Sequence, residues 1–178
     1  MGVLGLIAFA IWVNLQAAEI DSVRETVARL GYPGLLAASV VSGFNLVFPV
    51  PVVAFFPFLV ESGFEPALTL GTIALGMTGG DFLGYLIGDA SRDLMGERLA
   101  GLQEKVERLH ARNPLFPFVL LFVYAAFAPI PNELLVIPLA FMGYPLIAVM
   151  TVLLGGNIVF NTLAAYGVSQ FFPFAGGG

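Results

Sequence analysis

The chain of 178 residues is 58% hydrophobic and 11% charged, with mean hydropathy +0.93 and a formal net charge of −5. Soluble domains carry about 25% charged residues, so the composition excludes an ordinary soluble globule, and the negative charge excludes a generally basic nucleic-acid binder. With no cysteine and one histidine, His110, there is no disulfide or thiolate chemistry and no multi-histidine metal site. A site built from carboxylates alone stays open. Several long apolar runs predict one polytopic, all-α membrane domain.

Residues 2–15 are apolar, with Trp12 near their end, where an indole suits the membrane interface. The run is short for a span and lacks the basic start of a signal peptide. Residues 18–30 set Ile20, Val23, Val27 and Leu30 on one face, with Glu19, Asp21, Arg24, Glu25 and Arg29 elsewhere. This predicts an amphipathic surface helix, ended by Gly31 and Pro33, within an N-terminal region over 1–34.

Residues 35–62 form the first hairpin candidate. A Pro-x-Pro at Pro49 and Pro51 divides it into two arms, each too short for a hydrocarbon core of about 30 Å. Residues 66–89 read as a full span. Gly76, Gly80, Gly84 and Gly88 recur along it every four residues, a stripe that lets another helix approach closely. Asp81 lies beside the stripe at mid-span, where a buried acid is expensive and marks a functional position.

Residues 91–113 hold five of the seven basic residues, with Met95, Leu99, Leu102, Val106 and Leu109 on one line. They predict a cytoplasmic amphipathic helix, in which His110 is an ordinary solvated residue.

The stretch from Ala125 to Tyr144 is apolar but holds Pro129, Pro131, Asn132, Glu133 and Pro138. Proline removes a backbone donor and clashes with the preceding turn, so the pattern predicts a helix, a break and a second helix. Freed backbone groups and the Glu133 carboxyl then need protein partners or cavity water. The plainer role for Glu133 is a cap on the second arm. Residues 145–172 hold the last span, with Asn157 and Asn161 on one face; interhelical hydrogen bonding and cavity lining are both open to them.

The two halves echo each other. Pro49-Val-Pro51 followed by Gly63-Phe64 matches Pro129-Ile-Pro131 followed by Gly143-Tyr144, and Gly79-Gly80-Asp81 matches Gly155-Gly156-Asn157. Two landmarks in the same order predict an internal duplication. With residues 91–113 in the cytoplasm, the hairpins enter from opposite sides. The expected architecture is therefore two inverted repeats over 35–90 and 114–172, each a re-entrant helical hairpin plus a transmembrane helix, with the amphipathic helix between them.

The Pro-x-Pro tips, the run Pro129-Ile-Pro-Asn-Glu133, the Gly-Gly-Asp with Tyr85 and Gly88, and the charged helix between two halves resemble the DedA/VTT superfamily, the SNARE-associated Golgi proteins. The resemblance covers roughly residues 35–167 and implies a carrier or scramblase of lipids, in bacteria one linked to undecaprenyl phosphate recycling and proton-dependent membrane homeostasis. It also implies acids around the first Pro-x-Pro and arginines in the second hairpin. Here Phe44, Val52 and Val53 neighbour the first, Ala126 and Asn132 lie near the expected arginine positions, and no Lys or Arg follows Arg112.

Together these features predict a transporter of a lipid or amphiphile in a prokaryotic plasma membrane. Glu133 and Asp81 are its proton-titrating or substrate-coordinating acids, because burial favours the neutral form of a carboxyl group and lets it load and release a proton. Asn45, Pro49, Pro51, Pro129, Pro131, Asn132, Asn157 and Asn161 would line the cavity, and Gly76, Gly80, Gly84 and Gly88 would pack helices. The expected partners are a membrane lipid and protons, with a homo-oligomer left open; no nucleic acid, metal, cofactor or enzymatic activity is expected. A proton- or cation-coupled exporter of small solutes and a non-transporting scaffold are the rivals.

Overall fold

The computed structural model describes residues 29–44, 52–95, 114–128 and 130–171. The N-terminal apolar segment, the amphipathic stretch before Arg29, the charged linker beyond Met95, and Asn45, Pro49, Pro51 and Pro129 lie outside them. The described residues are helical: α1 (Tyr32–Gly43), a 3-10 turn (Val52–Phe55) running into α2 (Phe56–Glu61), α3 (Pro66–Met95), α4 (Phe116–Phe127), α5 (Glu133–Phe141) and α6 (Leu146–Phe171).

Local chemistry explains most boundaries. Pro33, Pro57 and Pro117 sit in the first turns of α1, α2 and α4, where a missing N–H costs nothing. Gly31 and Pro33 therefore open α1 rather than only closing the segment before it. Pro66 begins α3, and the Glu65 carboxylate accepts from Ala67 N (3.1 Å) and Leu68 N (2.5 Å), satisfying two donors of its first turn. The α3 helix runs on past Ser91 to Met95, so the start of the charged stretch continues the long helix.

The helices fall into two length classes. The 30 residues of α3 and 26 of α6 span about 45 and 39 Å. Within them Pro66–Ser91 and Leu146–Tyr166 are long and apolar enough to cross a membrane. The 12 residues of α1 and of α4 and the 9 of α5 span only about 18, 18 and 14 Å, short of a core of about 30 Å. The predicted helix, break and second helix around Pro131 is present as α4, a non-helical stretch that includes Ala128 and residues 130–132, and α5.

Both second arms stop in the same way. Gly63 (φ 93°) and Gly143 (φ 81°) take the left-handed conformation that side chains disfavour. Phe64 N donates to Leu59 O and Gly63 N to Val60 O; eighty positions on, Tyr144 N donates to Leu139 O and Gly143 N to Ala140 O, all at 2.9 to 3.0 Å. Each is a Schellman cap. Each cap's aromatic also meets a first-arm aromatic edge-on, Phe64 with Tyr32 at 4.8 Å and Tyr144 with Phe118 at 5.6 Å between centroids.

Packing places α1 against α3 and α4 against α6, while α5 crosses to α3 and the two long helices meet. Asn157 bonds Thr78 and Asp81, and Asn161 bonds Met77, so residue numbers run oppositely and α3 and α6 are antiparallel. One apolar cluster gathers Leu35, Val52, Leu59 and Ile73; another gathers Tyr85, Leu121, Val136, Leu139, Val149 and Leu153 with their neighbours. Along α3 the polar residues lie between them. The outward face of α3 carries exposed Leu68, Leu75, Phe82, Leu83, Leu86 and Ile87, while its inward face buries glycines, Thr69 and Asp81. An apolar exterior around a polar and small-residue interior is the distribution expected of a helix surrounded by lipid.

Candidate functional site

The inward face of α3 determines what can approach it. A Cβ added at Gly76 would meet Ser39 and the Leu36 carbonyl, and one at Gly80 would fall on the backbone of Val40 and Gly43, so this half of the stripe receives α1. Farther along, a Cβ at Gly84 would lie 2.9 Å from Glu133 Cγ, and one at Gly88 would meet Ile137 and Ala140, so this half receives α5. The stripe thus serves two partners in succession. On α6, a Cβ at Gly156 would lie 2.5 Å from Ala125 Cβ, so this glycine admits α4 as Gly80 admits α1.

These close approaches bring together Asp81 and Thr78 of α3, Asn132 and Glu133 at the start of α5, and Asn157 and Asn161 of α6. Asp81 and Asn157 are each 1% exposed, and Glu133 and Asn161 are 0% exposed. Asn132 Nδ2 donates to Asp81 Oδ2 at 3.1 Å and to Asn157 Oδ1 at 3.2 Å. Asn157 Nδ2 donates to the same Asp81 oxygen at 2.9 Å and to Thr78 Oγ1 at 3.0 Å. The three side chains of Asp81, Asn132 and Asn157 close a ring of hydrogen bonds in which one carboxylate oxygen accepts twice. Asn161 Nδ2 turns back to Asn157 O at 2.7 Å and also reaches Met77 Sδ at 3.2 Å.

Asn132 holds the N-cap position of α5, yet its side chain makes no capping bond. Its carboxamide goes instead to the residues of the long helices. Glu133, the acid in the first turn of α5, lays its stem over Gly84. The break is pinned from outside by Tyr124, whose hydroxyl donates to Pro131 O at 3.2 Å.

The helices around the cluster supply almost no positive charge. α1, α4, α5 and α6 contain no lysine or arginine, and α3 contains only Arg92, eleven residues beyond Asp81. That is about 16 Å along a helix, so among the described residues the two acids meet backbone and amide dipoles rather than cations.

Of the site residues read from sequence, Asp81, Asn132, Glu133, Asn157 and Asn161 lie on this junction, and Pro131 enters it through its carbonyl. Asn45, Pro49, Pro51 and Pro129 lie outside the described residues. Sequence reading passed over Thr78 and Tyr124. A threonine in an apolar helix commonly bonds its own backbone, and Thr78 does so to Ala74 O at 2.8 Å. Its position three residues before Asp81, on the same helical face, was the available signal.

The chain matches no family model, and neither curated proteins nor solved structures match it, so the function is read from these residues alone.

Proposed function

We propose that the protein is an integral membrane transporter that moves a lipid or amphiphile, with protons carried on Asp81 and Glu133. One observation carries this reading: two fully buried carboxyl side chains lie where both membrane-length helices meet the tip of a broken helix pair. Ionisable groups in such a place face an interior pathway, because an acid held in hydrocarbon to no purpose is costly. The discontinuous α4–α5 pair supports it further, since transporters place substrate and ion sites at broken helices near the midplane.

In the same reading α1, the 3-10 turn and α2 form one re-entrant hairpin, and α4 with α5 the other. The halves are inverted repeats related by an axis passing near the Asp81–Asn157 contact. The twin Schellman caps and the antiparallel long helices support that relation. The resemblance to the DedA/VTT superfamily supports a lipid as cargo.

The test is reconstitution of the purified protein into liposomes, following labelled lipids and a pH dye together. Lipid movement that depends on the pH gradient is expected, and Glu133→Gln should fold yet lose that dependence while Glu133→Asp keeps part of it. Solute-linked proton flux without lipid movement would select the small-solute exporter, and silence in both would leave a scaffold.

A further inference from the structure

We propose that the junction of α3, α5 and α6 binds a small monovalent cation, Na+ in the first instance, with Asp81 Oδ1 as its anchoring ligand and in competition with protons. The cation's role in transport rests on the transporter reading above; its binding does not.

The inference comes from matching donors to acceptors. Both Nδ2 hydrogens of Asn132 are committed, to Asp81 and Asn157. Both of Asn157 are committed, to Asp81 and Thr78. Those of Asn161 go to Asn157 O and Met77 Sδ, and the Thr78 hydroxyl goes to Ala74 O. Every amide and hydroxyl hydrogen of these neutral members has a partner, yet Asp81 Oδ1 and Asn161 Oδ1 are buried and meet no donor among the described residues. An acceptor buried without a partner loses its hydration for nothing, and a charged one loses more than a neutral one.

Exchanging amide ends does not repair the imbalance. Turning Asn161 over would set its oxygen against Asn157 O and a thioether, both acceptors. Turning Asn132 over would set its oxygen against the Asp81 carboxylate. The surplus of acceptors is fixed by composition, not by rotamer.

A proton on Asp81 relieves the acid but gives nothing to the neutral oxygen of Asn161. A cation draws on anionic and neutral oxygens alike, as hard cations do. The charge of the site also selects the ion. Among the described residues no group of three or more His, Cys, Asp or Glu could hold a metal. Two carboxyls with amide and hydroxyl oxygens suit a single positive charge better than a divalent ion, which draws several carboxylates or ordered waters. The setting agrees, since transporters coordinate Na+ at the broken helices of the repeat interface.

The titratable groups facing Asp81 are few. From α5 comes Glu133. The tyrosine of α4, Tyr124, has its hydroxyl on Pro131 O rather than on Asp81. α6 presents only asparagines, and on α3 itself Tyr85 is bound to Tyr144 O. The tyrosine of α1, Tyr32, lies at the far end against Glu65 N. Among the described residues, proton competition is therefore confined to Asp81 and Glu133.

The experiment uses the full chain purified in detergent. Its unfolding temperature is measured in NaCl and in choline chloride at equal ionic strength, at alkaline and mildly acidic pH, and radiolabelled Na+ binding is measured by equilibrium dialysis. NaCl should raise the unfolding temperature at alkaline pH where choline chloride does not, and acid should diminish the difference. Asp81→Asn should weaken labelled Na+ binding by about tenfold or more, and Asn161→Ala by less. Identical behaviour in the two salts overturns the proposal, as does undiminished Na+ binding by Asp81→Asn. If Asp81→Asn fails to fold, the salt comparison on the unmodified chain and the Asn161→Ala binding decide instead. Na+ binding without lipid movement in liposomes would sustain the site and sink the lipid transporter; lipid movement without Na+ binding would do the reverse.

Discussion

Asn132 and Asn157 act here as donors to a carboxylate, and that makes their exchange for aspartate informative. Asn157→Asp would put an anionic oxygen where Nδ2 now donates to Asp81 Oδ2 at 2.9 Å. It would remove a hydrogen bond to a charged group, about 1.5–3 kcal/mol, and add repulsion between like charges. The single variant should therefore unfold several degrees lower. The double variant Asp81→Asn, Asn157→Asp restores one acid facing one amide and should recover most of the loss, a coupling that thermal or denaturant unfolding of the four-member cycle measures. The acids and asparagines of this cluster were legible in the sequence because a polar side chain in an apolar run must be explained. Their partners were not. Nothing in the spacing of Asn132 says that it declines to cap α5, since an N-cap asparagine ordinarily bonds its own helix.

The glycine stripe of α3 looks uniform in sequence and is divided in structure, so its members should fail differently. Gly80→Ala meets the backbone of Gly43 and Val40. Backbone cannot step aside as a side chain can, so this variant should lose about 1–3 kcal/mol or more by overpacking and show it as lower yield and a lower unfolding temperature. Gly84→Ala meets Glu133 Cγ at 2.9 Å. It should keep most of its stability and alter the pH dependence of transport, because the displaced group is the acid itself. If both variants lose stability equally, the division of the stripe is wrong. The stripe's existence was readable from its period, but the change of partner from α1 to α5 is tertiary. The start of α1 shows a similar limit. Gly31 and Pro33 can end one helix or begin the next, and proline in a first turn is as regular a feature as proline past a last one.

At the scale of the molecule, the hairpin proposal fixes which residues share a side of the membrane. The native chain has no cysteine, so single cysteines at exposed Leu115 and Pro145 can be labelled with an impermeant maleimide in sealed vesicles. Both should react from the same side, and a similar pair at Leu30 and Glu61 from the opposite side. Reaction of Leu115 and Pro145 from opposite faces would make α4 and α5 one kinked span. Element order was visible from the proline and glycine landmarks, whereas the docking of α5 on α3 has no local signature. The facing of Asp81 by Asn157 carries a further meaning on the inverted-repeat reading. In a symmetric pair of separate half-chains a residue on the axis meets its own copy, giving here two aspartates that repel or two asparagines that carry no charge. Joining the halves in one polypeptide frees the two sides to diverge. One ancestral position can then keep the acid while its twin becomes the amide that solvates it, an arrangement that a homodimer of half-proteins cannot encode.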